Sequence, residues 1–370
     1  MKLISIAGIV KNCLYTLAKA VSARVVLLEG VPYGSTQPLR CLLIGEGFLH
    51  NYSSSKFSHG SDSVGFGKRE SFWRIYLRLK NLDRDRIDMC FVVAPRLIRK
   101  WVSKGANFQV FQAVGQKIAT ASWLETKKSF SSRKRTLANG LERDGSSIAY
   151  RISMEMKDFL YFYENMFKPH IIKKYSTAAI IESADEMLEH FRQGFLMLLE
   201  VNSVRVAGVL LIPKGRTLFY RRMGVLDGNE KLISEGIQSI LYFLQIKYAA
   251  DSDFDSIDLM LSAPFLSDGV YKNKAHWGGL PYGDLSFGPE EHLYFSRNAS
   301  NIASFFRTFP MIVKQGSSLG VIAGLPEGTE ADESWVKSFV KRHPVRGFNA
   351  LIPVHPTAGL KVPISLDRFS

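Results

Sequence analysis

Asp268, Tyr271, Lys274 and His276 fall within nine residues of one another, just after the strand-like run 257–261 and a polar kink at Ser262 and Pro264. Side chains of these types move protons and hold charge. Asp268 can orient or deprotonate a nucleophile, and Lys274 can stabilise developing negative charge or hold a phosphate. Tyr271, or Tyr220 further upstream, can donate a proton to a thiolate or alkoxide leaving group, and His276 is a further candidate base. Ser262, Phe265, Gly269, Trp277 and Arg222 join them as substrate-binding candidates. Each also has a plainer use. A carboxylate before a glycine is a common turn residue, a lysine can be a solvated surface charge, and a tryptophan can anchor a core. A strand that ends in a Pro-containing kink is how α/β proteins build sites at strand ends. Read as a stiff connection, the same segment carries no chemistry.

The elements that must position these residues are legible from periodicity. Residues 195–201 and 204–212 read as two strands joined by Asn202-Ser203, a hairpin signal, and 217–225 as a third strand. A long helix over about 234–248 and a strand over 256–261 follow. Three antiparallel strands and then a strand–helix–strand crossover make a mixed α/β sheet. In the third strand Tyr220 alternates with Phe219, so one of them faces the core. By the same alternation Arg221 and Arg222 lie on opposite faces, and one at most points to any site.

Upstream, residues 184–192 read as a helix, and 158–167 as another with Phe159, Phe162, Tyr163 and Met166 on one face, ended by Pro169. Residues 127–135 carry five positive charges and Phe130, a stretch that can grip phosphates and stack a base or form a solvated helix face. The first 115 residues alternate strand-like segments (25–28, 39–44, 88–93, 108–114) with helix-like ones (69–82, 97–104), interrupted by a Ser-, Gly- and His-rich loop over 50–67. The tail from about Pro310 is rich in Gly and Pro and reads as an irregular extension packed on the body.

Composition narrows the classes. The chain has 370 residues, 46% hydrophobic and 22% charged, so it folds and buries a sizeable core. Its net charge of +14 favours anionic partners: nucleic acid, membrane surface or phosphate-bearing substrates. The three cysteines, Cys13, Cys41 and Cys90, are scattered in apolar runs, which argues against a disulfide framework, a zinc site or a cysteine nucleophile and fits a reducing, cytoplasmic compartment. The histidines show no paired metal spacing, and no Gly-x-Ser-x-Gly elbow occurs. Ile6, Ile9, Val10, Cys13, Leu14 and Leu17 follow helical spacing, which predicts an amphipathic first helix on the domain or on a membrane surface rather than a spanning segment.

Several runs taken together carry a resemblance. Residues 208–212 (Gly-Val-Leu-Leu-Ile), 220–225 (Tyr-Arg-Arg-Met-Gly-Val), the helix with Glu235-Gly236, and above all 262–269 (Ser-Ala-Pro-Phe-Leu-Ser-Asp-Gly) with Lys274 and Trp277-Gly278 resemble the Fem-type, peptidoglycan-bridge-like branch of the GNAT acyltransferase superfamily. The basic segment with Ser132 to Arg135 and the helix after it resemble the arm preceding the acyltransferase module in that group. The resemblance covers roughly residues 120–310, is most specific over 204–279 and is absent from the tail.

It implies a mixed-sheet GNAT-like α/β fold, with two GNAT-like modules in tandem. The modules divide as residues 1–150 with the basic bridge and 151–315 with the acyltransferase site, followed by a tail over 316–370. It also implies transfer of an acyl or aminoacyl group to an amine, with acyl-CoA or aminoacyl-tRNA as co-substrate and no permanently bound cofactor or metal. The acceptor would be an amine-bearing small molecule or glycan precursor in cell-envelope or exopolysaccharide assembly, with tRNA and an anionic membrane surface as further partners. Acetyl-CoA-using members carry a Gln- or Arg-led glycine loop before the long helix, whose backbone N–H groups cradle the pyrophosphate. Here residues 224–231 place an Asp and a Glu in that stretch, which leaves Lys231, Ser234 and Gly236 as the phosphate contacts. The competing reading is a non-catalytic protein of the same fold that binds an anionic polymer or nucleic acid.

Overall fold

The computed structural model describes residues 22–35, 37–47, 68–94, 99–120, 122–144, 148–175, 181–283, 288 and 291–368. The helix expected in the first 21 residues and the loop expected over 50–67 lie outside the described residues. The chain forms two compact units, each discontinuous in sequence. Residues 1–114, 262–272 and 282–370 make the first, and residues 115–261 and 273–281 the second. The sequence suggested cuts at 150 and 315 instead. Residue 150 falls inside the strand Ile148–Ser153, which pairs along its length with Phe195–Val201.

The second unit is built on a seven-stranded mixed sheet. Its order is Leu280–Gly283, Val114–Ala119, Ser256–Ser262, Thr217–Val225, Val204–Lys214, Phe195–Val201, Ile148–Ser153. The hairpin forms as the sequence predicts: Val201 pairs with Val204, and Asn202 and Ser203 both take positive φ, 50° and 64°, the pattern of a type I′ turn. Alternate residues then face opposite ways. Met197, Leu199, Val209 and Leu211 pack under the helix Ile237–Asp251. Leu196, Leu198 and Leu210 pack under Phe159, Phe162 and Phe191 from the helices on the other face.

One of those helices departs from expectation. Pro169 does not end it. The helix Met156–Phe162 passes through a π turn, Tyr163–Phe167, and continues as Lys168–Tyr175. The Lys168 N–H bonds to the Tyr163 carbonyl, five residues back, and that offset lets the next residue be a proline with no N–H to give. The helix Ala184–Phe191 starts with a capping box, in which Ser183 and Glu186 satisfy each other's backbone N–H groups.

The first unit rests on an eleven-stranded mixed sheet. Strands from the first 115 residues (Ser22–Gly30, Leu39–Ile44, Lys68–Ser71, Met89–Val92, Phe108–Val110) join strands from the last 80 (Glu291–Phe295, Met311–Gln315, Ser318–Gly324, Ala350–His355 and two short ones). The tail is therefore a sheet partner and not an irregular extension. Ser318–Gly324 and Ala350–His355 pair in parallel, and Val321, Ile322, Leu351 and Ile352 are buried. A buried carboxylate stitches the sheet on the far side. Asp88 accepts the Arg40 N–H at 2.7 Å with one oxygen and the Asn298 side-chain N–H at 2.7 Å with the other. Cys41 and Cys90 are free and buried in this sheet, and burial raises both thiols.

Candidate functional site

The strands Thr217–Val225 and Ser256–Ser262 are parallel neighbours, linked by the helix Ile237–Asp251. Their ladder runs only through Thr217–Ser256, Leu218–Ile257 and Phe219–Asp258. Both strands continue beyond it. A β-bulge against the strand Val204–Lys214 falls between Tyr220 and Arg222, at the point where the ladder stops. On the opposite strand Met260 takes φ 61°, a left-handed conformation foreign to an ordinary strand residue. Two side chains hold it there. Asp258 Oδ1 accepts the Met260 N–H at 2.8 Å, and Lys274 Nζ donates to the Met260 and Leu261 carbonyls at 3.0 and 2.8 Å.

The bulge overturns the expectation for the two arginines. The extra residue breaks the alternation, and both guanidinium groups reach one carboxylate. Arg221 Nη2 donates to Glu182 Oε1 at 3.0 Å, and Arg222 Nε lies 2.9 Å from Glu182 Oε2. Arg221 Nη2 also lies 2.7 Å from His190 Nε2. A guanidinium can only donate, so His190 Nε2 accepts and the imidazole is neutral; burial and Arg221 lower its pKa. Burial and Arg222 likewise lower that of Arg221.

Tyr220 faces the other way. Its ring stacks on Tyr242 at 5.9 Å, and Tyr242 stacks on Trp277 at 6.3 Å. Lys134 Nζ sits 4.8 Å above the Trp277 ring and donates to Ser239 Oγ at 2.8 Å. Burial, with Arg133 beside it, pushes the Lys134 amine down to about 8.

After the split, the chain from Val225 makes a 3₁₀ turn, Leu226–Gly228, and a five-residue helix, Glu230–Ser234, capped by Asn229 Oδ1 on the Lys231 and Leu232 N–H groups. Gly224 is required here, because a Cβ would meet the Met166–Phe167 backbone at 2.4 Å. Gly236 begins the long helix at φ 89°, with open space around the position of a Cβ. Lys231 is 82% exposed and only 3.9 Å from Glu235, and Ser234 Oγ donates to the Lys231 carbonyl. His170, buried beside Gln238 in the first turn of the long helix, is held neutral, its pKa pushed down to about 4 by burial.

The residues singled out in the sequence are divided between the two units. Ser262, Phe265, Asp268, Gly269 and Tyr271 belong to the first unit, and Tyr220, Arg222, Lys231, Ser234, Gly236, Lys274 and Trp277 to the second. Phe265 is fully buried against Phe305 in the first unit's core, out of reach of a substrate. Asp268 Oδ1 accepts the Tyr271 N–H at 2.8 Å, the bond of a helix N-cap, which is its plainer reading. Burial raises the Tyr271 phenol, which keeps it protonated and makes it a poor proton donor. Lys274 is 2% exposed and is no solvated charge. Trp277 is buried edge-on to Phe130 at 5.0 Å, which removes Phe130 as a stacking platform for a base. His276 is exposed. In the basic bridge Lys127 and Lys128 pair with Glu142 and Glu125 at 2.7 and 2.6 Å.

Sequence reasoning missed Glu182 and set His170 and His190 aside as widely spread, with no paired metal spacing. Arg133-Lys134-Arg135 in the sequence pointed to Lys134 only as one charge among several. Among the described residues, no group of three or more His, Cys, Asp or Glu side chains is placed to hold a metal ion.

No family model matches the sequence, and no curated protein matches it. Solved structures do match. A crystal structure of FemX is similar to this chain at 9% identity and TM-score 0.38, over 73% of this chain and 84% of that one. The C-terminal domain of a putative lysylphosphatidylglycerol synthetase from Agrobacterium fabrum is similar at 10% identity and TM-score 0.35, over 76% and 84%. A GCN5-related N-acetyltransferase from Anabaena variabilis is similar at 8% identity and TM-score 0.28, over 90% and 74%. Fem-type and GNAT proteins, the group the sequence resembles, are thus among the structures to which this chain is similar.

Proposed function

We propose that the second unit is an acyltransferase that places an acyl or aminoacyl group on an amine, at the opening between Thr217–Val225 and Ser256–Ser262. The observation that carries this reading is the ladder that stops after Phe219–Asp258, with a bulge on one strand and a strained Met260 on the other. Parallel strands that part at their C-terminal ends make a crevice, and backbone N–H groups released from the ladder can polarise a donor carbonyl. The amine nitrogen attacks the acyl carbon, and the bond to the CoA sulfur or the tRNA ribose oxygen breaks. Tyr220 protonates the departing sulfur or oxygen and takes up the amine's proton in return. Lys231 and Ser234 in the short helix, and Gly236 at the start of the long one, take the donor's phosphates. Acyl-CoA and aminoacyl-tRNA are the donor classes, and an amine-bearing small molecule or glycan precursor of the cell envelope is the acceptor class.

Thermal unfolding in the presence of acyl-CoAs, aminoacyl-tRNA and anionic glycans tests it. A donor should raise the melting temperature in the wild type, and Gly236→Ala with Lys231→Ala should abolish that rise. Stabilisation by polyanions alone, with a steep salt dependence, would instead support the non-catalytic reading and end the enzyme proposal.

A further inference from the structure

The helices Phe72–Lys80 and Arg99–Gly105 lie on one face of the first unit's sheet. Ile75 and Val102 point inward, 1% and 3% exposed, and pack with Leu42, Ile44, Cys90 and Val92. The outward side is also apolar. Trp73 is 62% exposed, Leu77 44% and Trp101 63%. These are not scattered singles. Trp101 meets Phe72 at 6.4 Å, Phe72 meets Tyr76 at 6.4 Å, and Tyr76 stacks on Trp73 at 5.7 Å, so one aromatic strip crosses both helices. A contiguous exposed patch of this kind marks an interaction surface.

The charge around it has one sign. Arg74, Lys80, Lys100 and Lys104 are exposed along the same two helices, and neither helix contains an acidic residue. Glu70 and Asp85, which flank Phe72–Lys80 in sequence, are engaged with Arg78 at 2.8 and 3.9 Å. Among the described residues, Arg74, Lys100 and Lys104 have no carboxylate partner. Tryptophan and leucine tips surrounded by lysine and arginine are the composition that sits at a headgroup–acyl boundary, where the rings enter the interface and the cations meet anionic lipids. Leu77 sets this surface apart from a nucleic-acid platform, because an aliphatic side chain offers no face for a base.

We propose that the outer faces of Phe72–Lys80 and Arg99–Gly105 form a docking surface for an anionic phospholipid bilayer. The surface holds the protein at the membrane through Trp73, Leu77 and Trp101, steered by Arg74, Lys80, Lys100 and Lys104. It belongs to the first unit and does not depend on the reaction proposed for the second.

Co-sedimentation of the full chain with phosphatidylglycerol–phosphatidylcholine vesicles tests this, with phosphatidylcholine vesicles as the control. Binding should appear with the anionic vesicles, weaken with salt, and quench tryptophan fluorescence when the acyl chains are brominated. Trp73→Ser with Trp101→Ser should weaken it by about tenfold or more, and Lys100→Glu with Lys104→Glu by about as much. All four positions are exposed, so unchanged circular dichroism and melting should accompany the loss. Absence of vesicle binding would overturn the proposal, as would binding indifferent to both double variants. Retention of tRNA by this face in place of vesicles would overturn it too. Residues 1–21 are the competing occupant, since Ser22, which follows them, pairs with Ser71, directly before the helix Phe72–Lys80. Vesicle binding that emerges only on their removal would assign the surface to that segment instead.

Discussion

Parallel strands behave differently in the two units. In the first, Met89–Val92 is paired through all four of its residues with Leu39–Ile44, and Ser318–Gly324 stays in register with Ala350–His355 from Gly320 to Gly324. In the second, Thr217–Val225 and Ser256–Ser262 part after Phe219 and Asp258. Closed ladders satisfy every backbone group locally, and such sheets serve as scaffold. The open ladder has to be held apart. A buried ammonium at Lys274, a carboxylate at Asp258 and a residue at φ 61° do this on one strand, and the bulge with Glu182 does it on the other.

Removing Lys274 breaks the contrast most directly. Lys274→Met leaves the Met260 and Leu261 carbonyls without their ammonium, and the fold should lose about 3 kcal/mol in urea unfolding. Amides of Ser256–Ser262 should exchange faster with deuterium, while those of Leu39–Ile44 keep their protection. Equal deprotection in both ladders would show that Lys274 serves general stability and not the opening.

Glu182→Gln comes next. Two guanidinium groups then face a neutral amide in a half-buried setting, for a loss of about 2 kcal/mol. Deprotonated His190 should take up a proton more weakly still, since its carboxylate neighbour at 3.2 Å is gone, and its NMR titration midpoint should fall.

The smallest effect is a pH dependence. Burial holds the Lys134 amine at about 8 in the folded chain against an ordinary 10.5. Between those values the unfolded chain binds a proton that the folded one refuses, so stability rises as the pH climbs from about 8 toward 10.5. Below that window both states hold the proton and the penalty is constant. Lys134→Met should flatten the rise in melting temperature across the window. Partial exposure keeps the change small.

Local structure was legible where it depends on neighbours in sequence. Asn202-Ser203, the strand alternation on either side and the long helix before Asp251 all follow from turn chemistry and period. The crossover that creates the strand split followed with them. What escaped depends on residues far apart in the chain. The sheet partners of Met89–Val92 and Phe108–Val110 include strands after Glu291, and no local pattern links them. The bulge at Arg221 has no signature of its own, so strict alternation placed Arg221 and Arg222 wrongly. Lys274 and Trp277 were picked out as chemistry because of their types, whereas burial decides their use. Lys274 ties down a strand end and Trp277 fills a core.

The division of the chain bears on the order in which it is made. Synthesis delivers the second unit's Gly115–Leu261 as one uninterrupted run, complete but for residues 273–281. The strands of the first 115 residues, by contrast, must wait for those after Glu291 before their sheet can close. During that interval the edges of Met89–Val92 and Phe108–Val110 lack partners, a state that invites pairing with other chains. The unit that is read first is therefore the one that finishes last, and the growing polypeptide has most need of a chaperone while its tail is still on the ribosome.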